Sequence, residues 1–121
     1  MDDAQIGYNQ KAAEQIVKAI KSRRMAACYV ETRDLARKAV LDRIFAGAVV
    51  YRCGSCTLRD IGVWKEVAKI DDVEVVDPFE KGIDKKEEFS RRRKGLLADI
   101  MISSTNAITL DGKLVNLDGN G

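Results

Sequence analysis

The chain has 121 residues, 45% of them apolar and 33% charged, enough for one domain with a hydrophobic core and too apolar for a disordered polypeptide. A net charge of +2 is too small to imply a nucleic-acid partner, and the longest apolar runs, such as residues 46–51, are far too short to cross a bilayer. Histidine is absent, which removes Ser-His-Asp and Cys-His catalysis built from this chain alone and leaves three cysteines one ligand short of a structural zinc site unless a carboxylate joins.

The opening Met1-Asp2-Asp3 is acidic with no apolar stretch behind it, so no secretory signal is expected and the cytoplasm is the expected compartment. Residues 4–24 place Ile6, Ala12, Ala13, Ile16, Val17 and Ile20 at helical spacing, with Lys18, Lys21, Arg23 and Arg24 toward the C-terminal end that favours cations. Met25 to Val30 reads as a short buried strand, with Cys28 a core residue. Thr32 is the expected N-cap of a helix through Leu35, Ala36, Ala39, Val40 and Ile44, ended by Gly47.

Ala48 to Arg52 is the next strand. A loop follows, then helical sequence from about Leu58 to Ile70 that Gly62 divides. Val73 to Val76 is a third strand, closed by Asp77-Pro78. Lys85 to Ala98 reads as a helix with Glu87–Arg91 and Glu88–Arg92 pairs one turn apart and Phe89, Leu96 and Leu97 facing inward. Its charge run reads as a solvated face, the alternative being a basic patch for a phosphate-bearing ligand. Asp99 to Ser103 is a fourth strand. A β-hairpin comes last, Ala107-Ile108-Thr109 against Leu114 to Leu117 with its turn at Asp111-Gly112. Strands alternating with helices predict an α/β fold, a mostly parallel sheet covered on both faces, in a single domain over residues 1–121. Asp118 to Gly121 is loop-like just where the alternation calls for another helix, so the domain is expected to be truncated at its C-terminal end.

Three stretches carry candidate chemistry. Gly54-Ser55-Cys56-Thr57 joins a buried strand to a helix, where unsatisfied backbone N–H groups and the helix dipole favour phosphate or carboxylate; the alternative is that Thr57 only caps the helix and Gly54 only makes the turn. Cys53 and Cys56 within it form a C-x-x-C pair, which leaves thiol redox chemistry or half of a metal or iron–sulfur site open. Ser104-Thr105-Asn106 also follows a strand and so belongs to the same carboxyl edge of a parallel sheet, where ligands of open α/β sheets bind. Asp118 is a candidate general base or hydroxyl partner, although Asp118-Gly119-Asn120-Gly121 also has the look of a turn or a partial calcium loop.

At these residues the sequence resembles the LUD family, the lactate-utilisation domain proteins. The match rests on Gly54-Ser55-Cys56-Thr57-Leu58-Arg59-Asp60-Ile61-Gly62, and more strongly on Thr105-Asn106-Ala107-Ile108-Thr109, Asp111-Gly112 and Val115-Asn116-Leu117-Asp118-Gly119-Asn120-Gly121. Cys53 departs from the family, where glycine is usual, so the C-x-x-C reads as a local variation. The family's domain also continues past the segment at which this chain stops.

The resemblance implies a three-layer αβα fold similar to the sugar-phosphate isomerase and CoA transferase-like proteins, whose glycine–serine–threonine loop binds phosphate or carboxylate. It implies a role in oxidising L-lactate to pyruvate as one subunit beside iron–sulfur protein subunits, and it leaves a homo-oligomer open. The expected ligand is a small anionic metabolite held by Gly54, Ser55, Cys56, Thr57, Ser104, Thr105 and Asn106. No cofactor motif and no metal site are visible. The alternative is a stand-alone isomerase or transferase on phosphorylated or CoA-linked substrates, with Asp60 or Asp118 as its base.

Overall fold

Capping chemistry sets most of the helix starts. In the computed structural model, which describes residues 2–119, Asp2 accepts from the Gln5 N–H and opens α1 (Asp3–Ser22). Thr32 accepts from Leu35 N–H at the head of α2 (Arg33–Leu41), as its sequence position predicts. Ser55 opens α3 (Cys56–Asp60) and Asp84 opens α5 (Lys85–Gly95) in the same way. Between α3 and α4 (Val63–Val67) the chain passes through Gly62 at φ +80°, a left-handed conformation that costs a residue without a β-carbon little.

Three strands, β1 (Val49–Arg52), β2 (Glu74–Val76) and β3 (Ile100–Ile102), form a parallel sheet in the order β2-β1-β3. In this register Val50 lies opposite Val75 and Ile100, and Tyr51 opposite Val76 and Met101. The pleat therefore sends Val50 and its partners to one face and Tyr51 and its partners to the other. On the first face Ala48, Val50 and Ile102 pack with Leu58, Ile61, Val63 and Val67, and Ala36, Val40 and Trp64 join them from α2 and α4. Val50, Val63 and Val67 are the largest side chains fully buried, each stabilising by about 1.5–3 kcal/mol. On the second face α5 lies over β1 and β2. Helices on both sides of a parallel sheet make the αβα layering expected from the alternation.

The chain divides into two compact units. One is Glu31–Ser104, which contains the sheet; the other draws on α1 and the segment to Val30 with the chain from Thr105 onward. In this second unit β4 (Ala107–Ile108) pairs antiparallel with β5 (Leu114–Val115) around the predicted Asp111-Gly112 turn. Arg23, the C-cap of α1, donates to the Asp111 carbonyl at 2.9 Å, and Gly112 packs on Ala19 and Ile20. Asn120 and Gly121, the end of the expected terminal loop, lie outside the described residues.

Three expectations are corrected. Met25 to Val30 is not a strand: no ladder partner meets it among the described residues, and Met25 and Tyr29 are exposed. An apolar run becomes a strand only where a sheet edge is available to it. Cys28, in the same segment, is exposed rather than in the core. Phe89, Leu96 and Leu97 do not face inward; their exposures are 62%, 80% and 87%. The stripe of α5 nearest the sheet is instead Glu88, Arg91, Arg92 and Gly95. Gly95 permits this, because its missing β-carbon leaves room for the Tyr51 ring, and the Glu87–Arg91 and Glu88–Arg92 pairs form as expected.

Candidate functional site

The carboxyl end of β1 leads directly into the Gly54 to Thr57 loop. Cys53, just past the strand, donates its N–H to the Ile102 carbonyl at 3.3 Å, so the chain leaving β1 runs beside the chain leaving β3. Two polar segments, residues 53–57 and Ser103-Ser104, thus emerge together from adjacent parallel strands. The first amides of α3, at Cys56 and Thr57, have no carbonyl four residues back within the helix.

Ser55 rather than Thr57 is the N-cap, its Oγ accepting from the Leu58 N–H at 3.2 Å. Its hydroxyl is therefore already engaged in holding the loop. Cys56 and Thr57 are exposed at the helix start. Gly54 lies against Phe79: a β-carbon there would sit 3.3 Å from Cζ of the ring. Arg92 of α5 lies over that ring at 5.5 Å, so a residue three positions after β2 forms the floor of the loop.

Electrostatics near the loop are dominated by arginines. Arg52, the last residue of β1, pairs with Asp77 at 3.1 Å and lies 5.2 Å over the Trp64 ring. Asp77 also accepts from the Phe79 N–H at 2.8 Å. Arg59 is held above its ordinary pKa, first by its hydrogen bond to Asp60 and further by Cys56. Burial pushes the Tyr51 phenol up, Cys53 adds to this, and Arg92 opposes it. Cys53 and Cys56 carry thiols and form no disulfide.

The remaining candidates are distributed as follows. Ser104 stays with the β3 end of the first unit and is exposed. Asp60 is exposed at the C-terminal end of α3, paired with Arg59 at 3.0 Å. Thr105, Asn106 and Asp118 belong to the second unit. There Thr105 donates to the Val115 carbonyl at 2.9 Å, and Asn106 Oδ1 accepts from Leu117 N–H at 2.8 Å, so both brace the hairpin. Asp118 is exposed beyond β5.

Arg52, Asp77, Phe79 and Arg92 surround the loop; Arg92 falls in the charge run whose alternative reading is a basic patch, and the other three do not stand out in the sequence as site residues. The one available clue is that Arg52 immediately precedes the loop, just as Asp77 closes the neighbouring strand. A cavity of about 340 Å³ runs along the outer edge of β2, with Asp77 among its lining residues. Its charges are paired, Arg91 with Glu80 and Glu87, Lys94 with Glu74, and Asp77 with Arg52 outside the lining, so it is a salt-bridged groove rather than a vacancy for an ion. Among the described residues no group of three or more potential ligands is placed to hold a metal, and no helix is long and apolar enough to cross a membrane.

Comparison with known proteins gives one match. The family model for the LUD domain covers residues 13–121. No curated protein and no solved structure matches the chain.

Proposed function

The chain belongs to the LUD domain family, and from that premise we propose that it is a ligand-binding subunit of an L-lactate-oxidising system, holding a small anionic metabolite. It works beside iron–sulfur partners rather than carrying the electrons itself. One observation supports the binding role above the others. Parallel pairing of β1 with β3 brings two polar loops side by side at the carboxyl edge of the sheet, the edge at which open α/β sheets take their ligands.

In this reading the amides of Cys56 and Thr57 and the hydroxyl of Ser104 meet a carboxylate or phosphate. Ser55 shapes the loop by capping α3, and Gly54 keeps the approach open.

The test is thermal. Pyruvate, lactate or inorganic phosphate is expected to raise the melting temperature, and Ser55→Ala to abolish that rise. Ser55→Ala also removes a cap worth about 1 kcal/mol, so the readout is the ligand-induced increment and not the melting temperature itself. An increment of zero in the unsubstituted protein for all three anions ends the proposal.

A further inference from the structure

Arg52 is a half-used cation. Its side chain is 27% exposed and that of Asp77 23%, so both charges are largely withdrawn from water. A guanidinium carries five N–H donors, and among the described residues the one hydrogen bond of Arg52 runs from Nη1 to Asp77 Oδ2. The indole of Trp64 lies beneath it. That stacking holds the plane of the guanidinium while leaving its edges available, a geometry suited to a planar carboxylate.

A second donor accompanies it. Among the described residues, Trp64 Nε1 is buried with no hydrogen-bond partner. Buried donors are nearly always satisfied, and an orphan calls for an acceptor that the described residues do not supply. Arg52, Trp64 and Asp77 therefore form a cluster in which both Arg52 and Trp64 have N–H donors to spare and one carboxylate occupies only part of the cation. By the pleat, Arg52 shares the sheet face of Val50, the face that packs on α3 and α4.

We infer that Arg52 is the residue that selects the anion. Asp77 serves as its internal stand-in when no ligand is bound, and Trp64 supplies the stacking surface and a further donor. The ligand class is a small carboxylate, whose planar two-oxygen edge matches the free edge of the guanidinium. Inorganic phosphate is the competing source of the same charge. This inference rests on the proposed binding role and assigns its specificity to a residue outside the glycine loop.

Two substitutions are expected to act in opposite directions. Arg52→Lys keeps the charge and loses the paired donors, so binding falls. Asp77→Asn removes the competing carboxylate's charge, so binding rises. A merely structural ion pair does not behave this way, because breaking it from either side weakens the fold alike.

The experiment is calorimetric titration of the full chain with pyruvate, acetate and inorganic phosphate, in the unsubstituted protein and in Arg52→Lys, Arg52→Gln, Asp77→Asn and Ser55→Ala. The expected result is carboxylate affinity about tenfold or more weaker in Arg52→Lys and Arg52→Gln, and several-fold tighter in Asp77→Asn, with phosphate bound more weakly than pyruvate. If Arg52→Gln does not fold, Arg52→Lys and Asp77→Asn carry the test. Pyruvate affinity unchanged in Arg52→Lys and Asp77→Asn but lost in Ser55→Ala overturns the assignment and leaves the loop reading intact. Affinity reduced in both Arg52→Lys and Asp77→Asn makes the pair a structural clamp and also overturns it. Phosphate bound more tightly than either carboxylate overturns the ligand class, and no binding by the unsubstituted protein removes both readings.

Discussion

Gly95 sits where α5 crosses β1 so closely that a β-carbon would fall within the ring of Tyr51. Gly95→Ala must displace the ring or the helix, at a cost of about 1–3 kcal/mol. It is expected to lower the urea midpoint, and a cycle with Tyr51→Ala should give a double variant less destabilised than the sum of the single changes. Additive effects would mean that the two residues do not meet. Gly54 and Phe79 pose the same question at the loop after β1, with a wider gap. At this scale the sequence is legible only where neighbours along the chain interact. Thr32 announces its cap because the amide it accepts from is three residues away. Arg52 and Asp77 are 25 residues apart, and no local pattern reports a pair that only strand register brings together. The loop residues Gly54, Ser55 and Thr57 could be read as a site, whereas the arginine beside them could not.

Among the elements, the β4–β5 hairpin gives the clearest pH test. Asp111 is held below its ordinary carboxylate value of 3.8, first by the Thr109 hydroxyl and then by Lys113. A carboxylate that ionises more readily folded than unfolded adds stability above its unfolded pKa and loses it as pH falls through the folded value. The melting-temperature difference between the unsubstituted protein and Asp111→Asn is therefore expected to be constant near neutrality and to shrink below about pH 4. A difference that grows in acid would contradict the assignment. Exposure keeps the effect small. The hairpin itself was readable because two short apolar runs flank an Asp-Gly turn. The orientation of α5 was not. Its long apolar residues point to solvent, because a glycine and arginines paired to Glu87 and Glu88 offer the sheet a closer fit. Met25 to Val30 misleads for a related reason: composition suits a strand, but pairing decides whether one forms.

For the molecule as a whole, strand alternation was enough to predict a parallel sheet with helices on both faces, and the order β2-β1-β3 then makes β1 the central strand. That order gives the loop after β1 its importance, since it is flanked by the ends of both neighbours. The grouping of Thr105, Asn106 and Asp118 with α1 rather than with the sheet was not readable, because contacts between the ends of a chain leave no trace in periodicity. The central claim is that the carboxyl edge of the sheet binds a small anion. It is tested most directly by following backbone amide resonances of the full chain during titration with pyruvate and with inorganic phosphate. The expected result is saturable shifts concentrated at Gly54, Ser55, Cys56, Thr57, Ser103 and Ser104, with the Trp64 indole N–H moving alongside. Shifts confined to Glu74, Glu80, Glu87 and Lys94 along the β2 groove, or no saturable shift at all, would contradict it.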